Sequence, residues 1–463
     1  MTRDCGLFDG FLSTPEAAGV FGTTALLQNM LDFEAALARA QAAEGVIPAA
    51  AAASIAAACR VEHLDVPALA AAGSVAGTLV IPLVQQLGAW VAQADPSAAA
   101  WVHWGSTSQD VIDTAMVLAT RRAVALIDAD LGRLTHELMR LAQQHADAPL
   151  LGRTLLQPAQ VVCVGFKLVA WVAPLVRGRV RLRRAALAAC TLQLGGAVGT
   201  LSVLGSRGAA VAQRMADDLQ LPLPPGAWHT QRDEWVALGC DVGVLCGSLG
   251  KIAKDISLLA QGEIGEAAEP SGDGRGGSSA MPHKRNPVAS MTALAAALRA
   301  PHRVAALLSA MPQEHERGLG NWQAELAEWP GLFMSAHGAV AALATAAAGL
   351  TFDTARMRRN IDALQGLVFA EAASMRLAQH IGKPQAHALV ERLSRQVVAE
   401  GRTLHSLLLD AVAADPELTP RLSAADVTAL FDADAAARHA SAAVAGQWQA
   451  LQQQARALDA APL

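Results

Sequence analysis

Tyrosine is absent from the 463 residues, aromatic residues make up only 4% of them and charged residues only 17%. With 52% hydrophobic residues, so little charge excludes a disordered chain. Cysteine is sparse and scattered. Cys5, Cys59, Cys163, Cys190, Cys240 and Cys246 form no C-x-x-C pair and stand at no zinc-finger spacing, which excludes a zinc module and reads as buried thiols of a reducing cytosol. No positive excess exists. Lys+Arg 36 against Asp+Glu 41 gives a net charge of -5, which removes the electrostatic basis for a nucleic-acid partner or an anionic membrane surface. A small anion in a local basic pocket remains open. The start, Met1-Thr2-Arg3-Asp4-Cys5-Gly6, leads into no continuous apolar run, so no signal peptide is expected and the location expected is cytoplasmic. Alternating strand patterns are almost absent and no internal repeat is visible.

What is present is alanine, and its abundance without bulky aromatics points to closely packed helices and an all-α fold. Helical periodicity runs from Ala17 to Ala43, Ser108 to His145, Pro158 to Ala189, Asp233 to Glu266, Pro287 to Ser309 and Gly331 to Ala348. Beyond Phe352 the runs mostly shorten: Asp353 to Ala363, Leu367 to Ile381, Pro384 to Glu400, then a last one from Asp434 to Leu458. These changes of scale divide the chain into an N-terminal helical domain (1–106), a central long-helix bundle (107–352) and a smaller C-terminal helical domain (353–463). Val66 to Ala94 and Trp329 to Phe352 carry no charge, but prolines, glycines and polar residues interrupt both. No membrane span is expected. A helix apolar all round is otherwise buried all round, which suggests the core of an oligomer.

The most unusual stretch lies between two long helices, at 269–287: Glu-Pro-Ser-Gly-Asp-Gly-Arg-Gly-Gly-Ser-Ser-Ala-Met-Pro-His-Lys-Arg-Asn-Pro. Gly272, Gly274 and Gly277 satisfy G-x-G-x-x-G, but no strand precedes them, so a dinucleotide reading fails. Ser278, Ser279, His283, Lys284, Arg285 and Asn286 concentrate hydrogen-bond donors beside glycines, as a loop closing over an anion would require. Elsewhere, Thr107-x-x-Asp110 reads as a capping box, placing Thr107 and Ser108 where a helix dipole favours an anion or where they simply cap. Pro158 suits the first turn of a helix, leaving Thr154 and Gln157 just outside it as ligands or caps. There is no H-E-x-x-H, and no metal or other cofactor is expected.

The run Gly277-Ser278-Ser279-Ala280-Met281-Pro282-His283-Lys284-Arg285-Asn286-Pro287 resembles the G-S-S-x-M-P-x-K-x-N-P signature of the fumarase/aspartase superfamily. Trp101 to Asp110, Gly152 to Ala159 and Gln193 to Thr200 are similar to its other segments. The resemblance implies a three-domain all-α fold whose central bundle forms the core of a homotetramer, with each active site shared between subunits. It implies Ser278 as the acid/base at the carbon next to a carboxylate, and Lys284 and Asn286 as stabilisers of the dianion formed there. His103, in the first segment, and His283, beside the signature lysine, become candidate substrate ligands. Arg285, Arg317 and the Thr107/Ser108 helix start join them for a small polycarboxylate substrate, Arg317 having a structural ion pair as its alternative.

Within the superfamily the second segment usually carries His after Thr to protonate the leaving group, and here Leu155 stands there. The His before Asp-Val that adenylosuccinate lyases carry is replaced by Leu64. A leucine transfers no proton. A carboxylate, with a reference pKa of about 4, leaves without one, whereas an alkoxide or amide anion does not. Lactone opening and its reverse use a carboxylate in this way. The cycloisomerase group is therefore the expected one, closing 3-carboxy-cis,cis-muconate to its lactone. Phe8-Asp9, Asp65 to Leu69 and Glu316 to Glu325 resemble that group. Nitrite also leaves unprotonated, so nitrosuccinate-lyase-like chemistry is an alternative, followed by an adenylosuccinate- or argininosuccinate-type lyase and by a non-catalytic member.

Overall fold

Long helical runs with one apolar stripe bury it most economically against one another, and the chain does this throughout its middle. The computed structural model describes residues 6–272, 276–277, 280–281 and 283–461. Six long helices make the framework: α1 (Thr23–Ala43), α2 (Ser108–Gln144), α3 (Val164–Ala189), α4 (Asp233–Leu259), α5 (Val288–Ala310) and α6 (Asn321–Ala347). Helix α2 has 37 residues, about 55 Å at 1.5 Å per residue. Val111, Ala115 and Leu118, then Leu131, Leu134 and Leu138, recur three or four positions apart on its buried side. Small residues set the approach of α4 to α5. A Cβ on Gly239 would stand 2.8 Å from Leu307, and one on Gly250 would come closer still to Ala297. The fold is all-α apart from two short two-stranded ribbons among the described residues.

By length and composition α4 and α6 are apolar enough to cross a membrane, but 56% and 72% of their most apolar windows are buried inside the bundle. The uncharged run after Val66 is two helices, Val66–Ala76 and Val80–Ala94, broken at Gly77 with φ 72°. The C-terminal helices Ala370–Ile381, Lys383–Glu400 and Leu404–Ala414 pack around a core of their own containing Leu377, Val390, Leu393 and Leu408. A smaller cluster of Leu151, Val161, Ile361 and Phe369 ties that region to the bundle.

Several expectations need correction. The helix expected from Pro158 starts six residues later. Its first part is instead a strand, β2 (Gln157–Cys163), paired antiparallel with β1 (Pro149–Thr154). Pro158 therefore lies opposite Arg153 beside a register shift, not at a helix start. Val161 and Val162 favour the strand, and Cys163 then starts α3, its sulfur accepting from the Phe166 N–H. The run from Ala17 breaks into Pro15–Val20 and α1 at Phe21-Gly22. Helix α4 stops at Leu259 rather than Glu266, α6 begins ten residues early with Pro330 inside it, and the last run divides into Ala433–Ala443 and Ala445–Ala460.

Candidate active site

At the start of α2 the capping box forms, and Asp110 is fully buried within it. One Asp110 oxygen accepts from the Gly195 N–H at 3.0 Å and from His229 Nε2 at 2.7 Å. The other accepts from the Thr107 N–H at 3.1 Å and the Gly196 N–H at 2.9 Å. One carboxylate thus fixes the turn before α2, the Gln193–Thr200 turn and His229. Arg317 Nη1 donates to Thr107 Oγ1 at 2.8 Å. No carboxylate lies within ion-pair distance of Arg317 among the described residues, so the structural ion pair weighed for it does not form. Burial pulls the Arg317 guanidinium below its usual pKa, while Asp110 and Asp113 oppose that shift. Ser108 opens α2, half-buried beside Thr107. His103 stands just before it with φ 59°, its Nδ1 2.6 Å from Oε1 of the buried Glu34. Burial disfavours the imidazolium, but the charge and hydrogen bond of Glu34 outweigh it and hold the His103 pKa above its ordinary value.

Beneath this turn lies a fully buried charge cluster. Arg232 donates to Asp113 at 2.9 and 3.3 Å, and to both oxygens of Glu325. Trp322 Nε1, Gln109 and Gln193 also donate to Asp113, at 2.9, 3.2 and 3.3 Å. Arg232 precedes α4, Asp113 lies on α2 and Glu325 on α6, so the cluster pins three helix starts together.

At the opposite end, Thr154 and Gln157 face each other across the tip of the β1–β2 hairpin, and Leu155 and Leu156 form its two-residue turn. All four are exposed, Leu155 at 96%. Thr154 and Gln157 are therefore hairpin residues, not groups flanking a helix start. Arg153, one position behind, makes a bidentate pair with buried Glu266, 2.8 Å for each bond. The signature loop follows Glu266 in the chain, starting at Glu269. Glu269 accepts from Ala289 N at 2.9 Å, Ser290 N at 2.9 Å and Ser290 Oγ at 2.6 Å, which caps α5 and anchors the loop. Asn286 N donates to Gly276 O at 2.8 Å. His283, Lys284, Arg285 and Asn286 are exposed and line a cleft of about 760 Å³ with Glu269, Thr351 and Asp353. Ser278 lies outside the described residues.

One chain does not bring these groups together. Arg232 precedes α4 and Glu266 follows it, so the 27 residues of α4 separate the Thr107 end from the Arg153 end by about 40 Å. His103, Thr107, Ser108 and Arg317 collect at one end. Thr154, Gln157, His283, Lys284, Arg285 and Asn286 lie at the other. Among the described residues no group of three or more His, Cys, Asp or Glu side chains is placed to hold a metal ion. Sequence reasoning missed Glu34, His229 and the Arg232 cluster. The Asp110 and His229 partners stand 119 positions apart, and nothing local marks either Glu34 or His229 as polar groups of the interior.

The sequence matches the lyase family over residues 12–301 and the adenylosuccinate lyase C-terminus over 366–446. It is 50% identical to a 3-carboxy-cis,cis-muconate cycloisomerase of Bradyrhizobium diazoefficiens, over 88% of this chain and 89% of that one. A nitrosuccinate lyase of Streptomyces davaonensis is 40% identical over 90% of this chain and 89% of its own. The crystal structure of 3-carboxy-cis,cis-muconate lactonizing enzyme from Pseudomonas putida superposes with a TM-score of 0.90 at 44% identity, covering 97% of this chain and 99% of that one.

Proposed function

The chain belongs to the lyase family of the fumarase/aspartase superfamily, and from that membership we propose that it is a 3-carboxy-cis,cis-muconate cycloisomerase of bacterial protocatechuate (β-ketoadipate) catabolism. The observation that carries the choice within the family is Leu155, at the hairpin tip where the lyases present a proton donor. The extensive identity to a cycloisomerase of Bradyrhizobium diazoefficiens and the likeness to the Pseudomonas putida lactonizing enzyme support it. One substrate carboxylate oxygen attacks the β-carbon, forming the ring C–O bond. The electron pair of the double bond moves through the α-carbon into the neighbouring carboxylate, and a proton returned to the α-carbon restores neutrality there. Ser278 is assigned that proton transfer, and Lys284 and Asn286 the dianion that precedes it. Thr107, Ser108, His103 and Arg317 hold the remaining carboxylates, together with Thr154, Gln157, His283 and Arg285 from the other end.

Because those ends are about 40 Å apart in one chain, the site is completed by other copies, and the assembly we propose is a homotetramer built on the bundle. Exposed apolar side chains support this. Phe166, Val180 and Leu187 on α3, Val244 on α4, and Met291, Leu298 and Leu308 on α5 are left exposed among the described residues. The thiols of Cys59, Cys163, Cys190, Cys240 and Cys246 are all free, which fits a cytoplasmic location.

The reaction is tested by following loss of the muconate chromophore, with nitrosuccinate, adenylosuccinate and argininosuccinate assayed in parallel. Carboxymuconate should give the highest kcat/KM. A higher value for nitrosuccinate, the reading favoured by the Streptomyces davaonensis relative, would replace the proposal.

A further inference from the structure

The turn that presents His103 carries a feature the lactonisation chemistry does not use. Glu34, on α1, is 1% exposed, and its Oε2 is buried with no hydrogen-bond partner among the described residues. Leaving a buried carboxylate oxygen unpaired costs about 1–3 kcal/mol or more. A simple brace for the turn would not need the charge. A neutral glutamine would give the ring an acceptor equally well and avoid a buried ion. His103 itself is held at φ 59°, unfavourable for a residue with a Cβ. Its ring remains one-fifth exposed while Glu34 is sealed beneath it. Strain, a buried charge and an exposed imidazole edge therefore meet at one residue.

We propose that Glu34 is a positioning residue that keeps His103 as an imidazolium, fixing Nδ1–H on the carboxylate so that Nε2–H is presented to a carboxylate of the substrate. This rests on the cycloisomerase reading, and gives the Thr107 end a second cation beside Arg317. The charged groups turned to the ring are Glu34 from α1 and Asp110 from α2, both negative. Arg317 stands on Thr107, four positions further along, and the Cys59 thiol beside Glu34 is pushed up by burial and stays neutral. The His103 pKa is raised, so the imidazolium persists through the ordinary histidine range and is lost only as pH rises through the higher value. Without the Glu34 charge, burial is opposed only by Asp110 and the loss moves to lower pH.

The experiment is the pH dependence of kcat/KM for 3-carboxymuconate in the wild type, Glu34→Gln and His103→Gln, with assembly checked by light scattering. Glu34→Gln should move the alkaline limb down by about one pH unit or more, mostly through KM, and His103→Gln should abolish that limb. An unmoved limb in assembled Glu34→Gln overturns the proposal. If that variant does not assemble, calorimetry of wild-type enzyme decides, with tricarballylate titrated in buffers of different ionisation enthalpy. Proton uptake on binding above neutral pH supports the imidazolium, and its absence refutes it. A wild type that binds tricarballylate with uptake but turns over no carboxymuconate would fail the functional reading and leave Glu34's role standing.

Discussion

Replacing Arg232 with methionine leaves two carboxylates, Asp113 and Glu325, each 1% exposed, facing each other without the cation between them. Breaking a buried ion cluster by removing one partner costs about 3–5 kcal/mol, because the remaining charge is neither solvated nor paired. At a factor of ten per 1.4 kcal/mol, thermal inactivation should accelerate roughly 100- to 4,000-fold, provided the cluster opens before the unfolding transition state. Glu325→Gln provides the internal control. Burial holds the Glu325 carboxyl above the usual range, Arg232 opposes this and Asp113 adds to it, so two negative charges share one positive. Removing the charge of Glu325 loses a charge-assisted bond but relieves that excess, and an amide oxygen still accepts from Arg232. The cost should stay below about 2 kcal/mol. Inactivation half-lives of the wild type and both variants at one temperature make the comparison. Equal half-lives for the two variants, or an Arg232→Met enzyme as durable as the wild type, would refute the reasoning.

Lys284→Ala should lower kcat by about 100-fold or more with a smaller change in KM if the ammonium stabilises charge that develops during reaction; a rise in KM at unchanged kcat would reassign it to ground-state binding. Arg317→Ala and Lys284→Ala chains, each impaired alone, should recover about a quarter of wild-type activity when unfolded and refolded together in equal amounts, since random assembly pairs an intact Thr107 end with an intact loop at one site in four. No recovery in correctly sized mixed oligomers would place both residues of a site on one chain. Leu155→His should not speed lactone formation, because a carboxylate needs no acid catalyst. A tenfold or greater gain in the ultraviolet assay would show that the site had lacked an acid and would remove the main ground for preferring the cycloisomerase.

The long helices were legible because their periodicity is strong and their ends carry local chemistry: the Thr107-x-x-Asp110 box opens α2 as the sequence predicts. The β1–β2 hairpin was not, since its turn is Leu155-Leu156 and neither residue signals a turn. Pro158 imitated a helix start for the same reason. In the candidate site, the residues that sit in short motifs, Thr107, Ser108 and Lys284, could be proposed from the sequence. Glu34, Asp113, His229 and Arg232 act through partners dozens to more than two hundred positions away, such as Trp322 on Asp113. Only the packing of α1, α2, α4 and α6 makes them neighbours.

The hairpin tip joins that local illegibility to function. Leu155 and Leu156 adopt φ 50° and 67°, a conformation that costs a residue with a Cβ on the order of 1–3 kcal/mol. Asn-Gly would occupy the same turn with little strain. In the single chain the two leucines are also 96% and 73% exposed, so burial among the described residues does little to offset that cost. Burying a leucine side chain contributes about 1.5–3 kcal/mol, the same magnitude as the strain, so seating the tip against another copy would balance it. In the proposed tetramer the tip would be an apolar wall supplied to a neighbouring site. A wall of that kind would offer the leaving group no proton, but it would exclude water and so strengthen the attraction proposed between Lys284 and charge forming on the substrate. On that proposal, low charge, scarce aromatics and exposed leucines would belong to one design, in which carboxylate chemistry dispenses with an acid and copies of the bundle cover its apolar faces.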